Sequence, residues 1–260
     1  NAGETLNFVQ PNTPGSITLN RSSGTTAFQI DGTINATGQV WLLNPRGTII
    51  GSAGRVNAAG FLATTANIDP DAFYTNNTGR FVFSDATNNS INNYGQINVL
   101  SGYAVLAGRN VANLTNQAQI SASLGKIALG GGRDFTIDFA GNKLVSFLVA
   151  DPAAATAAGA TANFSNSVSN GGKIVADGGT ILMTVRSAVD IIGNVINNTG
   201  IVQAKTVSNT GGVITLDAGP NGLITVGSSS VGGIINASGG ASSYGGKITL
   251  AASSIDINAA

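Results

Sequence analysis

The side chains that carry most enzyme chemistry are scarce in this sequence. It contains no histidine and no cysteine, and Glu4 is its single glutamate. Nucleophile pairs of the Ser-His or Cys-His kind are therefore excluded, as are metal sites built from imidazole or thiolate groups. General acid–base catalysis is left to aspartate.

Two aspartate pairs are the remaining candidates for catalysis. Asp134 and Asp138 lie on one predicted strand, which places their side chains on one face but about 13 Å apart. Paired glycosidase carboxylates are separated by only about 5–9.5 Å. Asp69 and Asp71 are closer in sequence, but Pro70 between them favours helix capping. We therefore expect no catalytic residues and no enzymatic activity.

Three glycine-containing segments are candidates for ligand sites. Gly130–Arg133 lacks the Lys-Ser/Thr ending of a phosphate-binding loop. Asp177-Gly178-Gly179 and Asp217-Ala218-Gly219 are only faintly similar to calcium-binding β-roll turns, because the nonapeptide repeat is missing. Structural turns explain all three segments, and we expect no bound metal or cofactor.

The composition favours a folded, neutral, turn-rich β protein. The chain carries 12 basic and 12 acidic side chains. It therefore lacks the excess of positive charge that is typical of proteins that bind nucleic acid or an anionic membrane. No apolar run approaches the ~18 residues of a transmembrane helix, so no membrane insertion is expected. The 36 glycines, with many Asn, Ser and Thr, are typical of frequent turns. Residues 1–5 lack signal-peptide features, which predicts a processed or internal start.

Short strands recur too closely for helices to lie between them. Residues 30–62 contain four alternating apolar runs, with Gly or Asn between them. The step from Ile34 to Val56 is 22 residues, and that from Ile181 to Ile214 is 33. The shorter step fits one coil of three strands, and the longer step fits a coil with an enlarged loop. The sequence therefore predicts an all-β fold, a right-handed single-stranded parallel β-helix.

Stacked coils place like residues above like, so polar side chains can form ladders along the stack. We expect inner or corner ladder positions at Asn35, Asn57, Asn98 and Asn236.

Two features are predicted to interrupt the coils. Residues 135–139 and 143–149 flank Ala140-Gly141-Asn142, a pattern that predicts a small extra-helical hairpin covering the side of the coils. Residues 69–74 predict a single helical turn capped by Asp69. Asp151–Ala155 repeats that capping pattern.

The sequence suggests three regions along the chain. Residues 1–150 form the first region, residues 151–170 a low-complexity connection, and residues 171–260 a regular continuing β-helical shaft.

The tetrapeptide Asn44-Pro45-Arg46-Gly47 is the candidate functional motif. Asn at the first position, Pro at the second and Gly at the fourth fit a type I β-turn at a corner between strands. A purely structural turn and a turn that also serves recognition both remain open at this point.

The order of these motifs resembles the two-partner secretion domain of TpsA-type exoproteins, the haemagglutination-activity domain of filamentous haemagglutinin and the high-molecular-weight adhesins. The matching segments are Leu6–Asn12, Ser16–Arg21, Gly32–Leu62, Gly102–Gly108, Gly125–Leu129 and the hairpin ending near Val149. Asn44, Pro45 and Gly47 match the family's Asn-Pro-Asn-Gly turn, whereas Arg46 replaces its second Asn. Strands that precede Asn1 in the family and a second Asn-Pro-Asn-Leu motif are absent, and Gln10-Pro11-Asn12 is a partial echo of the latter.

The resemblance implies export through a partner outer-membrane pore of the Omp85-like class, with this domain as the export address. It predicts a secreted or surface-exposed bacterial adhesin or matrix protein that presents a surface to a host-cell, carbohydrate or matrix ligand. The alternatives are the export domain of a cytolysin or contact-dependent toxin, a self-associating extracellular filament and, less favoured, a β-helical polysaccharide-active enzyme.

Overall fold

The computed structural model describes residues 1–11, 15–139, 145–146, 167–186, 195–241 and 243–258. In chain order its elements are β1 (Thr5–Phe8), β2 (Ile17–Arg21), β3 (Phe28–Ile30), β4 (Thr33–Ala36), β5 (Gln39–Leu43), β6 (Thr48–Ile50), β7 (Arg55–Thr64), α1 (Pro70–Tyr74), β8 (Arg80–Phe83), β9 (Ser90–Asn93), β10 (Gln96–Gly108), β11 (Asn110–Asn113), β12 (Gln119–Ser121), β13 (Lys126–Gly131), β14 (Phe135–Asp138), β15 (Val145–Ser146), β16 (Ser167–Asn170), β17 (Lys173–Val175), β18 (Thr180–Val185), β19 (Val195–Asn198), β20 (Ile201–Gln203), β21 (Val213–Val226), β22 (Ile234–Asn236) and β23 (Lys247–Ile257).

Twenty of these strands form one continuous sheet wound into a parallel β-helix. The three faces begin with the pairs β1–β4, β2–β5 and β3–β6, all parallel and in register. Seven successive parallel pairings on each face join eight coils in the described residues. Strands β7, β10, β21 and β23 bend at a corner and contribute to two faces. The predicted fold class is confirmed.

The interior consists of apolar rows that run along the stack. Register pairing places like residues above one another, and neighbouring coils are about 4.8 Å apart. The buried rows are Ile34, Val56, Ile97, Ile120, Ile174 and Val202 on the first face, Val40, Phe61, Ala104, Ile127, Ile181 and Ile214 on the second, and Ile91, Val111, Val168, Ile196 and Ile224 on the third.

Glycine at one corner allows the coils to approach this closely. A Cβ atom on Gly179 would lie 2.1 Å from the carbonyl oxygen of Gly125 in the preceding coil. Thr180, the next residue, donates its backbone N–H to that same oxygen at 3.0 Å. A larger residue at this position would therefore displace the sheet hydrogen bond that starts β18.

The predicted asparagine ladder exists but lies outside the core. Asn57 Nδ2 donates to Asn35 Oδ1 at 2.9 Å, and Asn98 Nδ2 donates to Asn57 Oδ1 at 3.1 Å. These three side chains are only half-buried, because Ile34, Val56 and Ile97 occupy the inward positions beside them. The expected ladder is confirmed for these three residues, but their side chains face outward and do not occupy inner positions. Asn236 lies at a corner, where its Oδ1 accepts the N–H of Ser238 at 3.0 Å.

A three-stranded antiparallel sheet lies outside the coils and covers part of the second face. β14 pairs with β15, as expected for the predicted hairpin, and on its other side with β8. Phe135 and Ile137 are fully buried, in a second apolar cluster centred on Trp41. The participation of β8 was not predicted. The hairpin turn at residues 140–142 lies outside the described residues.

The predicted helical turn is present as α1. Asp69 Oδ1 accepts the backbone N–H groups of Asp71 and Ala72 at 2.8 and 3.3 Å, which is the expected capping. α1 is the one helix in the residues that the structure describes. The second capping pattern, at Asp151–Ala155, lies outside them. The division at residues 150 and 170 stays a prediction, while β11, β12 and β13 pair directly with β16, β17 and β18 across that region.

Candidate functional site

The Asn44–Gly47 tetrapeptide forms the corner between β5 on the second face and β6 on the third. Gly47 donates its N–H to the carbonyl oxygen of Asn44 at 2.8 Å, which closes the predicted β-turn. Arg46 donates its backbone N–H to Asn44 Oδ1 at 2.9 Å, so the asparagine side chain closes a second turn within the first.

Asn44 joins three coils and is fully buried. Its side-chain Nδ2 donates to the carbonyl oxygen of Thr26 in the preceding coil at 3.0 Å. Its backbone N–H donates to the carbonyl oxygen of Thr64 in the following coil at 3.0 Å. The side chain therefore has partners for both its nitrogen and its oxygen, and it presents no surface to a receptor while the domain is folded.

Pro45 and Gly47 are held by the chain segment that leads into β9. The Pro45 carbonyl oxygen accepts hydrogen bonds from the Thr87 hydroxyl at 2.5 Å and from Asn89 Nδ2 at 2.8 Å. Gly47 has φ of +98°, and a Cβ atom there would lie 2.4 Å from the Ser90 carbonyl oxygen. Both the left-handed backbone conformation and the close approach require glycine.

Arg46 is the exposed residue of the corner. Within the described part of the chain, its side chain makes no hydrogen bond or ion pair. The corner thus separates two roles, because Asn44 and Gly47 hold the coils together while Arg46 projects a positive charge into solvent.

A charged cluster lies at the same edge of the β-helix, where the extra-helical sheet meets the coils. Arg133 forms an ion pair with Asp85, and Asp134 Oδ1 accepts the Asp85 backbone N–H at 2.8 Å. Arg109 Nε donates to the carbonyl oxygen of Ala86 at 2.9 Å. Burial lowers the pKa of Arg109, and the neighbouring Arg133 lowers it further. The hydrogen bond to Asp85 raises the pKa of Arg133.

Three of the four candidate catalytic aspartates, Asp69, Asp134 and Asp138, have structural partners. Asp134 contacts the Asp85 backbone, Asp69 caps α1, and Asp138 lies in register with Arg80 on the neighbouring strand. Asp177 accepts hydrogen bonds from Gln203 at 2.9 Å and from the Lys205 N–H at 2.8 Å. Each of these groups contributes to turns or strand contacts.

The described residues contain neither a cluster of metal ligands nor a membrane-spanning helix. No group of three or more His, Cys, Asp or Glu side chains there is arranged to hold a metal ion. The one helix in that part of the chain, α1, lacks the length and apolar character to span a membrane.

A buried polar group that sequence reasoning missed lies on the second face, where β5 begins. Trp41 Nε1 donates to the Tyr103 hydroxyl at 2.7 Å, and that hydroxyl donates to Gln39 Oε1. Burial raises the pKa of Tyr103, and the hydrogen bond to Trp41 lowers it by less. The partners are 62 residues apart in sequence, so no local pattern indicates the contact.

Comparison with known proteins agrees with the fold and the order of motifs. The family model for the TPS secretion domain matches residues 1–159. A heme/hemopexin-binding protein of Haemophilus influenzae is 32% identical over 138 residues, covering 50% of this chain and 15% of that protein. A second protein of that name, from the same species, is 42% identical over 64 residues, covering 25% of this chain and 7% of that protein.

A solved structure shares the fold along almost the whole chain. The crystal structure of the HMW1 secretion domain from Haemophilus influenzae aligns with a TM-score of 0.69 at 24% identity, covering 99% of this chain and 74% of that one. Because the family model matches more than half of the 260 residues, the chain belongs to the TPS secretion domain family, whose exoproteins are secreted across the outer membrane to the cell surface or the extracellular space.

Proposed function

We propose that this chain is the export domain of a surface adhesin or extracellular matrix protein, and that an Omp85-like outer-membrane pore is its partner transporter. The match to the secretion-domain family over residues 1–159 is the observation that carries this proposal. The wider exoprotein adheres to a host-cell, carbohydrate or matrix ligand and acts without catalysis. The near-neutral composition and the structural roles of the candidate aspartates support that view.

The Asn44–Gly47 corner serves this function as an address that is read before the domain folds. In the folded domain Asn44 is fully buried, and both its amide nitrogen and its amide oxygen have hydrogen-bond partners. A receptor therefore reaches the Asn44 amide only in the unfolded chain. After export, the same amide joins the three coils. Folding of the domain therefore competes with renewed binding of the Asn44 amide to the receptor.

Two variants of the same turn separate recognition from folding. Asn44→Ala removes the amide that a receptor would read, and it also removes the contact to Thr26. Gly47→Ala disturbs the folded turn through its positive φ and the Ser90 carbonyl oxygen, but it keeps the Asn44 side chain. We expect Asn44→Ala to weaken binding of the unfolded chain to the periplasmic domains of the pore by about tenfold, the effect of one lost hydrogen-bonded contact. Gly47→Ala is expected to bind as the wild type does.

The readout is the affinity of chain freshly diluted from denaturant, so the stability of the folded domain does not enter. Equal affinity of wild type and Asn44→Ala would restrict the corner to a structural role. The affinity of Arg46→Ala provides a third comparison, because the Arg46 side chain is exposed in the folded domain and is equally accessible in the unfolded chain.

The alternatives differ in what the export domain carries. A cytolysin or contact-dependent toxin would have its toxic region in sequence that follows this domain, and the full gene distinguishes that case from an adhesin. A self-associating filament would be visible by electron microscopy of the purified protein.

A further inference from the structure

A fully buried ladder of asparagines lies inside the third face of the β-helix. Asn93 Nδ2 donates to Asn113 Oδ1, Asn113 Nδ2 to Asn170 Oδ1, and Asn170 Nδ2 to Asn198 Oδ1, each at 2.8 Å. All four residues are at most 1% exposed. They occupy equivalent positions on β9, β11, β16 and β19.

The ladder coincides with the coils in which a long connection in the sequence, called an excursion here, separates the strand on the second face from the strand on the third. Residues 65–89, 132–166 and 186–194 separate the second face from the third in the coils that contain β9, β16 and β19. The strands β9, β16 and β19 that follow these excursions each carry a ladder asparagine. Asn113 on β11 connects the asparagine of β9 to that of β16. The coils on either side have no such excursion, since β5 and β6 are joined by a four-residue corner and β21 is continuous. At the ladder position those coils have Ile50 and Val226.

A strand that returns after a long excursion must find its register again. A slip by one residue would turn its apolar side outward, which burial already forbids. A slip by two residues keeps the same side inward, so apolar burial alone does not prevent it. On β16 the two inward residues are Val168 and Asn170, and on β11 they are Val111 and Asn113. Such a slip would place an amide against an apolar side chain and leave it buried without a partner.

We propose that this ladder is a register lock, which makes each strand that rejoins the β-helix after an excursion pair in only one of its two apolar-compatible registers. The lock acts while the chain folds and requires no ligand. The idea is independent of how the partner pore recognises the chain.

A role in tight corners alone does not explain the ladder. Asn93 Oδ1 and Asn170 Oδ1 also accept the N–H groups of Gly95 and Gly172 at 3.1 and 3.2 Å. Asn113, however, is followed by a longer corner, and its amide has only Asn93 and Asn170 as partners in the described residues. The Asn113 side chain therefore stabilises the contacts between coils and not a corner of its own coil.

Disulfide trapping reads the register directly, because the chain has no cysteine of its own. Ala112 lies beside Ser169 on the outer surface, so Ala112→Cys with Ser169→Cys reports the native register. Ala112→Cys with Ser167→Cys reports a slip by two, since those Cα atoms are about 8 Å apart in the native register and too distant to bridge.

Each cysteine pair is placed in four backgrounds, namely wild type, Asn113→Leu, the exchange Val168→Asn with Asn170→Val, and Asn197→Leu. The exchange moves the β16 amide to the position that meets Asn113 only after a slip. Asn197 is the control because it precedes Asn198 but is exposed. Full-length chain is refolded from denaturant under mild oxidation, and intramolecular cross-links are counted on gels from all material, soluble or not.

We expect wild type and Asn197→Leu to give the native pair alone. Asn113→Leu should raise the ratio of slipped to native cross-link by about tenfold or more, and the exchange variant should give mainly the slipped pair. Native cross-links alone in both ladder variants would overturn the proposal. Failure of both to form either intramolecular pair would also overturn it, since the amides would then be needed for pairing itself rather than for its register.

Discussion

At the scale of single residues, the buried polar groups of Asn44, Asn113 and Tyr103 are held by partners from other coils. Tyr103 lies between Trp41 and Gln39, and its hydroxyl both accepts and donates a hydrogen bond. Burial of this phenol raises its pKa, because the charged form would lose its hydration. The folded domain therefore keeps the Tyr103 proton at a pH where the unfolded chain releases it.

The pH dependence of stability should reveal this group. An unfolded tyrosine has a pKa of about 10, so the Tyr103 contribution is complete below that pH and declines as the pH rises further. We expect the wild type to lose up to about 1.4 kcal/mol per pH unit more than Tyr103→Phe in that range. Urea unfolding followed by the emission of Trp41, the single tryptophan, measures the difference. Parallel curves for the two proteins would contradict the assignment.

Residue types and local spacing indicated part of the site. The Asn44–Gly47 turn follows from Pro at its second position and Gly at its fourth, both of which act locally. The contacts of Asn44 to Thr26 and Thr64 could not be predicted, since they depend on which residues the neighbouring coils bring alongside. The inner ladder was missed for a related reason. Asn93 and Asn57 look alike in sequence, and only the register decides which of them faces the core.

At the scale of elements, the extra-helical sheet shows where local patterns stop being informative. The pairing of β14 with β15 was predictable, because the two strands flank a short turn. The pairing of β14 with β8 joins Phe135 to Phe83 across some fifty residues of sequence, and no turn signal connects them. The alternation in β8 indicates a strand but does not identify its partner.

This sheet should undock without unfolding the coils it covers. Phe83 is fully buried and stacks on Phe135 with ring centroids 5.0 Å apart. Phe83→Ala should cost about 3–5 kcal/mol of docking free energy and shift the emission of Trp41 to longer wavelength, while the β signal in circular dichroism persists. Val82→Ala is the matched control, because Val82 lies on the same strand but is 51% exposed. In a denaturant titration, simultaneous loss of the Trp41 emission signal and the circular dichroism signal would show instead that the sheet and the coils unfold as a unit.

At the scale of the whole molecule, the inward apolar side chains of each coil are fully buried only when the next coil covers them. The rows that contain Ile181 and Ile214 run through successive coils, so a chain that emerges from a pore can fold onto the coil before it. The coil repeat was predictable from the steps of 22 and 33 residues, because one strand period recurs in each coil. The placement of the excursions along one edge was not, because the steps do not show which corner is enlarged.

We propose that this chain directs its own passage through a partner pore. The most direct test is to send the full chain, with a signal peptide, to the periplasm of cells that contain or lack the Omp85-like pore of its own genome, and to measure the fraction that is extracellular. We expect extracellular chain only in the presence of the pore, with retention in the periplasm in its absence. The same distribution with and without the pore would contradict the claim.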